Sequence, residues 1–237
     1  MTDLHTHILP GMDDGARTCS DSVAMLKMEW EQGVQRVALT PHFYPEMENV
    51  SSFLSRRGEA FDLLRRHVDT LPREGRASVP ELVLGAEVAW IRGMGDMPGL
   101  DRLCYADSPY LLIELPFSRW DNRVLDDIND IINRTGLIPV IAHIDRYIAA
   151  QSDRQMERLL EFDLPIQISA EAFQRLHLQR QVRKLLETGM AQLLISDCHN
   201  TGLRAPNLNL AYARVTKKYG KGFAEKIDRC SDRLLNG

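Results

Sequence analysis

Histidine and carboxylate side chains recur in this sequence where short apolar segments come to an end. Nine of them are candidate metal ligands, namely His5, His7, Asp14, His42, Glu87, Glu114, His143, Asp197 and His199. Residues i and i+2 of an extended strand point to the same face, so the imidazoles of His5 and His7 can reach one ion. Imidazole and carboxylate ligands together suit Mn, Fe or Zn, and imidazole favours Mn over Mg. The set is too large for one ion, and we expect two to three divalent ions, with Mn preferred.

The chemistry that such a set predicts is hydrolysis of a phosphate ester. Carboxylates gathered in one place repel one another unless cations offset the repulsion. Several metal ions together generate hydroxide from water at neutral pH and stabilise both sides of an in-line displacement at phosphorus. Arg146 and Arg204 follow shortly after His143 and His199, and we expect their guanidinium groups to bind the phosphate oxygens. We predict Arg146, Arg204 and His199 as catalytic residues, with His199 or a water on the metal ions assisting the leaving group.

Short apolar runs that alternate with helical patterns are the elements that must position these side chains. Seven runs predict strands, over residues 2–5, 36–40, 81–85, 111–115, 138–142, 166–169 and 192–196. Helical periodicity, with glycine at several ends, predicts helices over residues 20–32, 50–70, 122–135, 154–162, 172–188, 208–219 and 222–235. Residues 90–109 indicate a long loop with one turn of helix.

The order of these elements predicts the fold. Strands that alternate with helices pair in parallel through right-handed crossovers. Six of the seven predicted strands deliver an imidazole or a carboxylate at the same end, which is typical of a barrel. An open doubly wound sheet would instead gather its site residues at one switch point. We therefore predict an α/β fold, a distorted TIM-like (β/α)7 barrel in one domain over residues 1–237, with the metal site at the carboxyl ends of the strands.

Composition argues against several classes of protein. Hydrophobic residues make up 44% and charged residues 26% of the 237 positions, as in an ordinary globular protein. No apolar run is long enough to span a bilayer, so we expect no membrane insertion. The four cysteines form no CxxC pair and the first residues do not resemble a signal peptide, so we expect a cytoplasmic protein. A net charge of -4 argues against nucleic-acid binding.

Some polar side chains have a structural interpretation beside the chemical one. Glu114 lies inside an apolar strand, where it is either a metal ligand or one half of a buried ion pair. Asp13 competes with Asp14 as a ligand and could instead cap the turn at Gly15. Four others are interpreted as supporting or structural residues: Asp3, Asp145, His67 and His177.

Several segments resemble the PHP (polymerase and histidinol phosphatase) superfamily. They are Asp3-Leu4-His5-Thr6-His7, Thr40-Pro41-His42, Gly85-Ala86-Glu87, His143 and Ser196-Asp197-Cys198-His199-Asn200. Within it, the sequence resembles in particular the bacterial CpsB/CapC-type manganese-dependent tyrosine-protein phosphatases. The features that carry this resemblance are the run from His5 to Gly15, the run from Ala142 to Tyr147, and Arg204 after the last motif. The resemblance spans nearly the whole chain.

The resemblance implies three metal ions in a distorted (β/α)7 barrel. It implies one ion held by His5, His7, Glu87 and Asp197, with Glu87 bridging to a second ion. The second ion would add Glu114 and His143, and the third would take Asp14, His42 and His199. Arg146 and Arg204 match phosphate-contacting positions of the family. Glu114 stands where some PHP members have histidine, which favours the tyrosine-phosphatase branch.

The substrate that the resemblance implies is a phosphotyrosine protein. The family dephosphorylates the tyrosine-rich tail of a membrane-associated tyrosine autokinase that controls capsule or exopolysaccharide export. A small phosphate ester such as histidinol phosphate is the alternative substrate. A degenerate barrel that only binds a partner is a further alternative, but binding alone gives no reason for nine metal-binding groups.

A mechanism without metal would use Cys198 as the nucleophile. Five residues separate Cys198 from Arg204, which is the loop pattern of cysteine-dependent tyrosine phosphatases. Asp197 directly precedes the cysteine, however, and a neighbouring carboxylate raises the pKa of a thiol instead of lowering it. The sequence therefore favours the metal mechanism.

Overall fold

Strands and helices alternate along the chain in the computed structural model, which describes residues 1–175 and 178–236. The strands are β1 (Thr2–Thr6), β2 (Arg36–Leu39), β3 (His42–Phe43), β4 (Glu81–Leu84), β5 (Glu87–Ala89), β6 (Tyr110–Glu114), β7 (Ile138–Ile141), β8 (Gln167–Ser169) and β9 (Leu193–Ile195). The helices are α1 (Cys19–Glu31), α2 (Val50–Asp69), α3 (Arg73–Ala77), α4 (Asn122–Thr135), α5 (Asp153–Leu160), α6 (Gln179–Glu187), α7 (Leu208–Tyr219) and α8 (Lys221–Asn236). No helix within these residues combines the length and the hydropathy needed to cross a bilayer.

All strand pairs in the described residues are parallel. They form three sheets, with the orders β1-β2-β4, β3-β5-β6-β7 and β8-β9. Two isolated parallel bridges lie between the sheets, one joining Thr6 to Cys198 and the other joining Ile141 to Ile166. The predicted α/β class is confirmed, whereas the ladders themselves form three sheets and not one closed barrel.

Two predicted strands continue beyond the ends that the sequence indicated. The segments at residues 36–40 and 81–85 are each interrupted and resume as β3 and β5. Pro41 has no N–H for a ladder, and a Cβ at Gly85 would come within 3.0 Å of the Tyr105 ring. Pairing still continues across the interruption, because Glu87 N donates to Pro41 O at 3.1 Å. The consequence is that His42 and Glu87 stand directly opposite each other in neighbouring strands.

The predicted helices are confirmed with one correction. The predicted helix over residues 172–188 is wrong in its first half, where Ala170–Phe173 forms a separate 3-10 turn. Ala172 and Phe173 are buried there, the turn packs against α7, and α6 begins only at Gln179. His177, interpreted as structural, lies outside the described residues. Residues 90–109 contain two 3-10 turns, Met94–Asp96 and Leu100–Leu103, where one turn was expected.

Apolar residues form two buried clusters around the strands. The larger one lies between the strands and the surrounding helices. The smaller one takes residues from six strands and from α8, namely Leu4, Ala38, Val83, Leu112, Val140, Leu193, Ile195, Leu234 and Leu235, with Tyr105 and Ala142. We call this second set the inner core. Leu112 and Ile195 of the inner core each precede a candidate ligand by two residues.

Candidate metal centre

All nine predicted ligands meet at the carboxyl ends of the strands. The side-chain donor atoms form three groups, and the atoms of each group lie within 4.8 Å of one another. The groups are His5 with His7 and Glu87; His42 with Glu87 and Glu114; and His7 with Asp14, His42 and His199. The two remaining ligands, His143 and Asp197, contact members of these groups. The grouping overlaps with the three-ion division implied by the family and differs from it in three ways: His42 and not His143 groups with Glu114, His7 also joins the group that contains Asp14, and Asp197 is in no group.

Glu87 lies at the centre of the cluster. Its side chain is 1% exposed, and its Oε2 atom lies 3.2 Å from His5 Nε2, 3.3 Å from His7 Nε2 and 2.9 Å from His42 Nδ1. The other oxygen, Oε1, lies 2.9 Å from His143 Nε2. One buried carboxylate thus contacts four imidazoles.

Asp197 links the imidazoles to the two predicted phosphate-binding arginines. Its Oδ1 atom lies 3.4 Å from His7 Nε2 and 3.6 Å from His199 Nδ1. Its Oδ2 atom accepts a hydrogen bond from Arg204 Nη2 at 2.9 Å and another from Arg146 Nη2. The two guanidinium groups therefore converge on the edge of the cluster.

The open side of the cluster carries the two more exposed carboxylates. Asp14 is 65% exposed, and its Oδ1 atom lies 3.3 Å from His199 Nε2 and 3.7 Å from His42 Nε2. Glu114 is 12% exposed and its Oε1 atom lies 3.4 Å from His143 Nε2. Glu114 therefore joins the cluster, and its contact there is with His143.

The donor set fits divalent cations. His5 Nδ1 donates to Gln167 Oε1 at 2.9 Å and His7 Nδ1 donates to Asp13 Oδ2 at 2.7 Å, which leaves both Nε2 atoms as acceptors in the neutral rings. These two Nε2 atoms face each other at 3.2 Å, and either a proton or a metal ion between them would satisfy both. His199 Nε2 is buried and makes no hydrogen bond among the described residues. Such atoms cost about 1–3 kcal/mol each unless a cation or water satisfies them.

Charge in the metal-free cluster is balanced by protons on the imidazoles. Burial lowers the pKa of His143, but hydrogen bonds with Glu114 and Glu87 outweigh it and raise the pKa to about 9. Burial opposes a charge on His7 as well, yet its hydrogen bonds with Asp13, Asp197 and Glu87 raise its pKa well above the usual value. Burial and the positive charge of His7 lower the pKa of His199 to about 3.

The carboxylates respond in the opposite sense. Burial would raise the pKa of Glu87, but the charge of His5 and hydrogen bonds from His143 and His42 hold it well below its usual value. Burial of Asp197 is likewise outweighed by a hydrogen bond from His7 and by the charges of His5 and Arg146, so its pKa is also lowered. Both are therefore anionic near neutral pH, which is the state that metal ligands require.

Supporting residues fix the orientation of the ligands. Gln167 is fully buried and orients His5, and Asp13 orients His7 while it also accepts from the backbone of Gly15 at 2.9 Å. Asp13 is thus the turn cap and Asp14 the candidate ligand, as the sequence suggested. Asp3 accepts from Ser196 N at 3.2 Å, and Asp145 accepts from Ser169 N at 2.8 Å, so both are structural. Sequence reasoning missed Gln167, although a glutamine in a short apolar strand was a usable signal.

The backbone is strained where two ligands leave their strands. His143 has φ 25° and Asp197 has φ 53°, both in the region that residues other than glycine seldom adopt. Such strain persists where surrounding structure enforces it and is common at functional sites.

Gly15 meets a different constraint, because a Cβ there would lie 2.0 Å from the carbonyl oxygen of His7. Only glycine allows the loop that carries Asp14 to approach the cluster.

Cys198 does not have the surroundings of a nucleophile. Its side chain is fully buried and lies 3.6 Å from Glu29 Oε1. Burial, together with the charges of Glu29 and Asp3, raises the pKa of the thiol well above its usual value. A reactive cysteine needs the opposite environment. The alternative in which Cys198 and Arg204 form a cysteine phosphatase loop is therefore not supported.

An α/β fold that gathers imidazoles, carboxylates and two arginines at the carboxyl ends of parallel strands is typical of metal-dependent hydrolases. The sequence matches the family described as "Capsular polysaccharide synthesis, CpsB/CapC" over residues 1–234. The chain therefore belongs to the CpsB/CapC family, and the resemblance drawn from its motifs is confirmed.

Named relatives agree with this assignment. The chain is 26% identical to tyrosine-protein phosphatase CpsB of Streptococcus pneumoniae, covering 96% of this chain and 94% of the relative. It is 27% identical to tyrosine-protein phosphatase YwqE of Bacillus subtilis, covering 99% and 91%. A solved structure from work on YwqE and CpsB, described as unique metal-dependent tyrosine phosphatases, superposes with a TM-score of 0.84 at 26% identity, covering 100% of this chain and 94% of that one. A mutant organophosphorus hydrolase shares the fold alone, with a TM-score of 0.54 at 12% identity, covering 100% and 92%.

Proposed function

We propose that this chain is a metal-dependent protein-tyrosine phosphatase. The observation that carries the proposal is the position of Asp197, whose Oδ1 faces the imidazole cluster while its Oδ2 holds Arg146 and Arg204. Metal ions on one side and two guanidinium groups on the other form a site for a phosphate dianion. Membership of the CpsB/CapC family and the names of the relatives support phosphotyrosine as the ester.

Two to three divalent ions would be held by the nine clustered ligands. The ligands are His5, His7, Asp14, His42, Glu87, Glu114, His143, Asp197 and His199. Mixed imidazole and carboxylate donors favour Mn, with Fe or Zn as alternatives. When bound, these ions supply a nucleophile from water at neutral pH and stabilise the charge that develops on the phosphoryl group.

The residues of the chain bind and orient the ester. Arg146 and Arg204 would leave Asp197 Oδ2 to hold the non-reacting phosphate oxygens, a bidentate role that guanidinium groups fill well. The lowered pKa of His199, about 3, favours a role as neutral ligand over a role as proton donor. The phenol of tyrosine has a pKa near 10 and leaves without a strong acid, so we propose that no dedicated proton donor is needed.

The open rim of the site supports a protein substrate over a metabolite. Asp14 is 65% exposed, and the neighbouring Met47 is 81% exposed. A hollow of about 650 Å³ lies beside them, lined in part by Met12, His42 and Tyr44.

Because the family is described by capsular polysaccharide synthesis, we propose as partner a membrane-associated tyrosine autokinase of that process. Histidinol phosphate or a similar small ester is the alternative.

We further propose that the nine strands form one distorted seven-stranded barrel in a single domain. The two bridges between the sheets, the continuation of β2 and β4 into β3 and β5, and the inner core support this closure. The family match over residues 1–234 supports a single domain. All four cysteines are free, which suits a cytoplasmic location.

Turnover with and without metal tests the proposal. We expect the Mn-loaded protein to hydrolyse a phosphotyrosine peptide faster than histidinol phosphate. A chelator should abolish the reaction, and Mn should restore it better than Mg. Faster turnover of histidinol phosphate would favour the alternative substrate, and full activity after chelation would refute the metal mechanism.

Arginine variants test the proposed phosphate contacts. Arg146→Ala and Arg204→Ala should each lower kcat/KM by about 100-fold, the typical effect of removing a donor to the reacting group. Arg134→Ala is the matched control, because Arg134 pairs with Asp96 on the surface, where the two side chains are 51% and 71% exposed. Equal effects of Arg134→Ala and Arg146→Ala would contradict the assignment.

A further inference from the structure

Six large apolar side chains are exposed among the described residues, namely Tyr44, Met47, Leu63, Phe117, Leu203 and Leu210. Two of them, Tyr44 and Phe117, lie beside the metal centre. Tyr44 follows the ligand His42 by two residues and Phe117 follows the ligand Glu114 by three. Exposed apolar groups that collect at one place mark a binding surface, whereas single ones are ordinary.

Two of these residues stack on metal ligands. The Phe117 ring lies 6.0 Å from the His143 ring with an interplanar angle of 14°. The Tyr44 ring lies 5.2 Å from the His42 ring with an angle of 26°. His143 and His42 in turn contact the two oxygens of Glu87, each at 2.9 Å. Phe117 and Tyr44 therefore flank the same bridging carboxylate, and we call them the aromatic rim.

The aromatic rim is not explained by packing. Phe117 is 52% exposed and Tyr44 is 39% exposed, so each keeps much of its surface in water. Tyr147 shows the contrast: it is fully buried, its hydroxyl accepts from Leu115 N at 3.0 Å, and its ring lies 5.6 Å from Phe117. Tyr147 thus supports Phe117 from behind while the free surface of Phe117 remains available to a ligand.

We propose that Phe117 and Tyr44 contact the aromatic ring of the substrate and make the site selective for aryl over alkyl phosphates. The inference rests on the proposed function for the position of the phosphate. A phosphoryl group at the cluster must direct its ester group outward, past the aromatic rim. An aromatic pair contributes free energy beyond the burial of area, and an alkyl group of serine or threonine size cannot make that contact.

Binding of two phosphonates isolates this contact from leaving-group chemistry. Phenylphosphonate and methylphosphonate present the same phosphoryl oxygens and differ in the ring. Calorimetric titration of the Mn-loaded protein should show tighter binding of phenylphosphonate. Phe117→Ala and Tyr44→Ala should each weaken phenylphosphonate by about three- to tenfold, as loss of one aromatic pair predicts, and leave methylphosphonate within about twofold.

The controls separate ring contact from support of the ligands. Phe117→Trp and Tyr44→Phe should retain the preference for the phenyl compound. Leu63→Ala, which removes a 49% exposed apolar side chain from α2, should change neither affinity. Equal wild-type affinities for the two phosphonates would overturn the inference. So would equal losses for both compounds in the alanine variants, because the rings would then only support His143 and His42.

The outcome is distinguishable from failure of the proposed function. A protein that prefers phenylphosphonate but hydrolyses no phosphotyrosine refutes the phosphatase assignment and leaves the aromatic rim intact. A protein that hydrolyses phosphotyrosine without preferring phenylphosphonate refutes only the proposed contact between the aromatic rim and the ring of the substrate. A protein that binds neither phosphonate refutes both.

Discussion

The inner core and the metal centre are built on the same strands, yet their chemistry is opposite. In β6, Leu112 belongs to the inner core and Glu114 to the metal centre. At the end of β9, Ile195 belongs to the inner core, and Asp197, two residues further along the chain, contacts the imidazoles. Residues two apart on a strand share a face, so a step of about 7 Å along one strand separates apolar packing from ligand chemistry. Stability and catalysis should therefore respond to different substitutions on one strand.

Substitution of a metal ligand is the strongest test of this separation between the inner core and the metal centre. His5→Ala and Asp197→Ala should each reduce phosphotyrosine turnover by more than about 100-fold, since even supporting residues of metal sites carry effects approaching that size. Metal analysis of each purified variant should show fewer ions than the wild type. Unchanged turnover in either variant would contradict the ligand assignment.

Substitution in the inner core should give the reverse pattern. Leu112 is 1% exposed, and Leu112→Ala should lower the free energy of unfolding by about 2–5 kcal/mol because it leaves a cavity. Metal content and kcat should stay close to the wild type below the melting transition. Leu63→Ala on the surface should change stability by less than about 0.5 kcal/mol. Loss of metal in the folded Leu112 variant would show that the two regions are not separable.

Gln167 contacts both the metal centre and the inner core, so its substitution tests how the two regions are connected. Its Oε1 atom accepts from His5, and its Nε2 atom donates to Tyr105 of the inner core at 3.3 Å. Gln167→Leu keeps the volume but releases the His5 ring, so Mn affinity should fall by about 10- to 100-fold. The exposed Gln174→Leu is the control. Equal Mn affinity in both variants would remove Gln167 from the site.

Protons and metal ions should compete for the imidazoles. A ligating imidazole must be neutral, whereas His143 in the metal-free protein is protonated below its pKa of about 9. Lowering the pH from 8 to 7 should therefore weaken Mn binding by about tenfold for each displaced proton. Titrations in buffers of different ionisation enthalpy measure the protons released, and His143→Gln should release about one fewer. Affinity independent of pH would mean that the imidazoles are already neutral.

Local patterns predicted most of the strands and helices, and the residues that meet in the candidate metal centre. Ligands such as His143 and His199 follow apolar runs directly, and the register of a parallel fold then brings such ends together. The breaks at Pro41 and Gly85 were interpreted as strand ends, because the sequence does not show that pairing resumes beyond them. His42 and Glu87 were nevertheless predicted as ligands, since the ends of two adjacent strands remain adjacent.

Residues whose roles depend on distant partners were not predicted. Gln167 meets His5 across 162 positions of sequence, and no local pattern contains that pairing. The proposed role of Tyr44 and Phe117 rests on their exposure beside His42 and His143, and that exposure follows from the tertiary fold. Closure of the strands into one barrel was predicted as well, but among the described residues the strands form three sheets, with isolated bridges at Thr6 and Ile141 in place of continuous ladders between them.

The bridge between Thr6 and Cys198 has a consequence for synthesis of the chain. It brings His5 and His7 beside Asp197 and His199. These two pairs are far apart in the sequence, so the ribosome synthesises the first pair long before the second. A nascent chain that ends before residue 197 contains His5, His7 and Glu87 but lacks Asp197 and His199. The complete set of nine candidate ligands therefore exists only after His199 has been added to the chain.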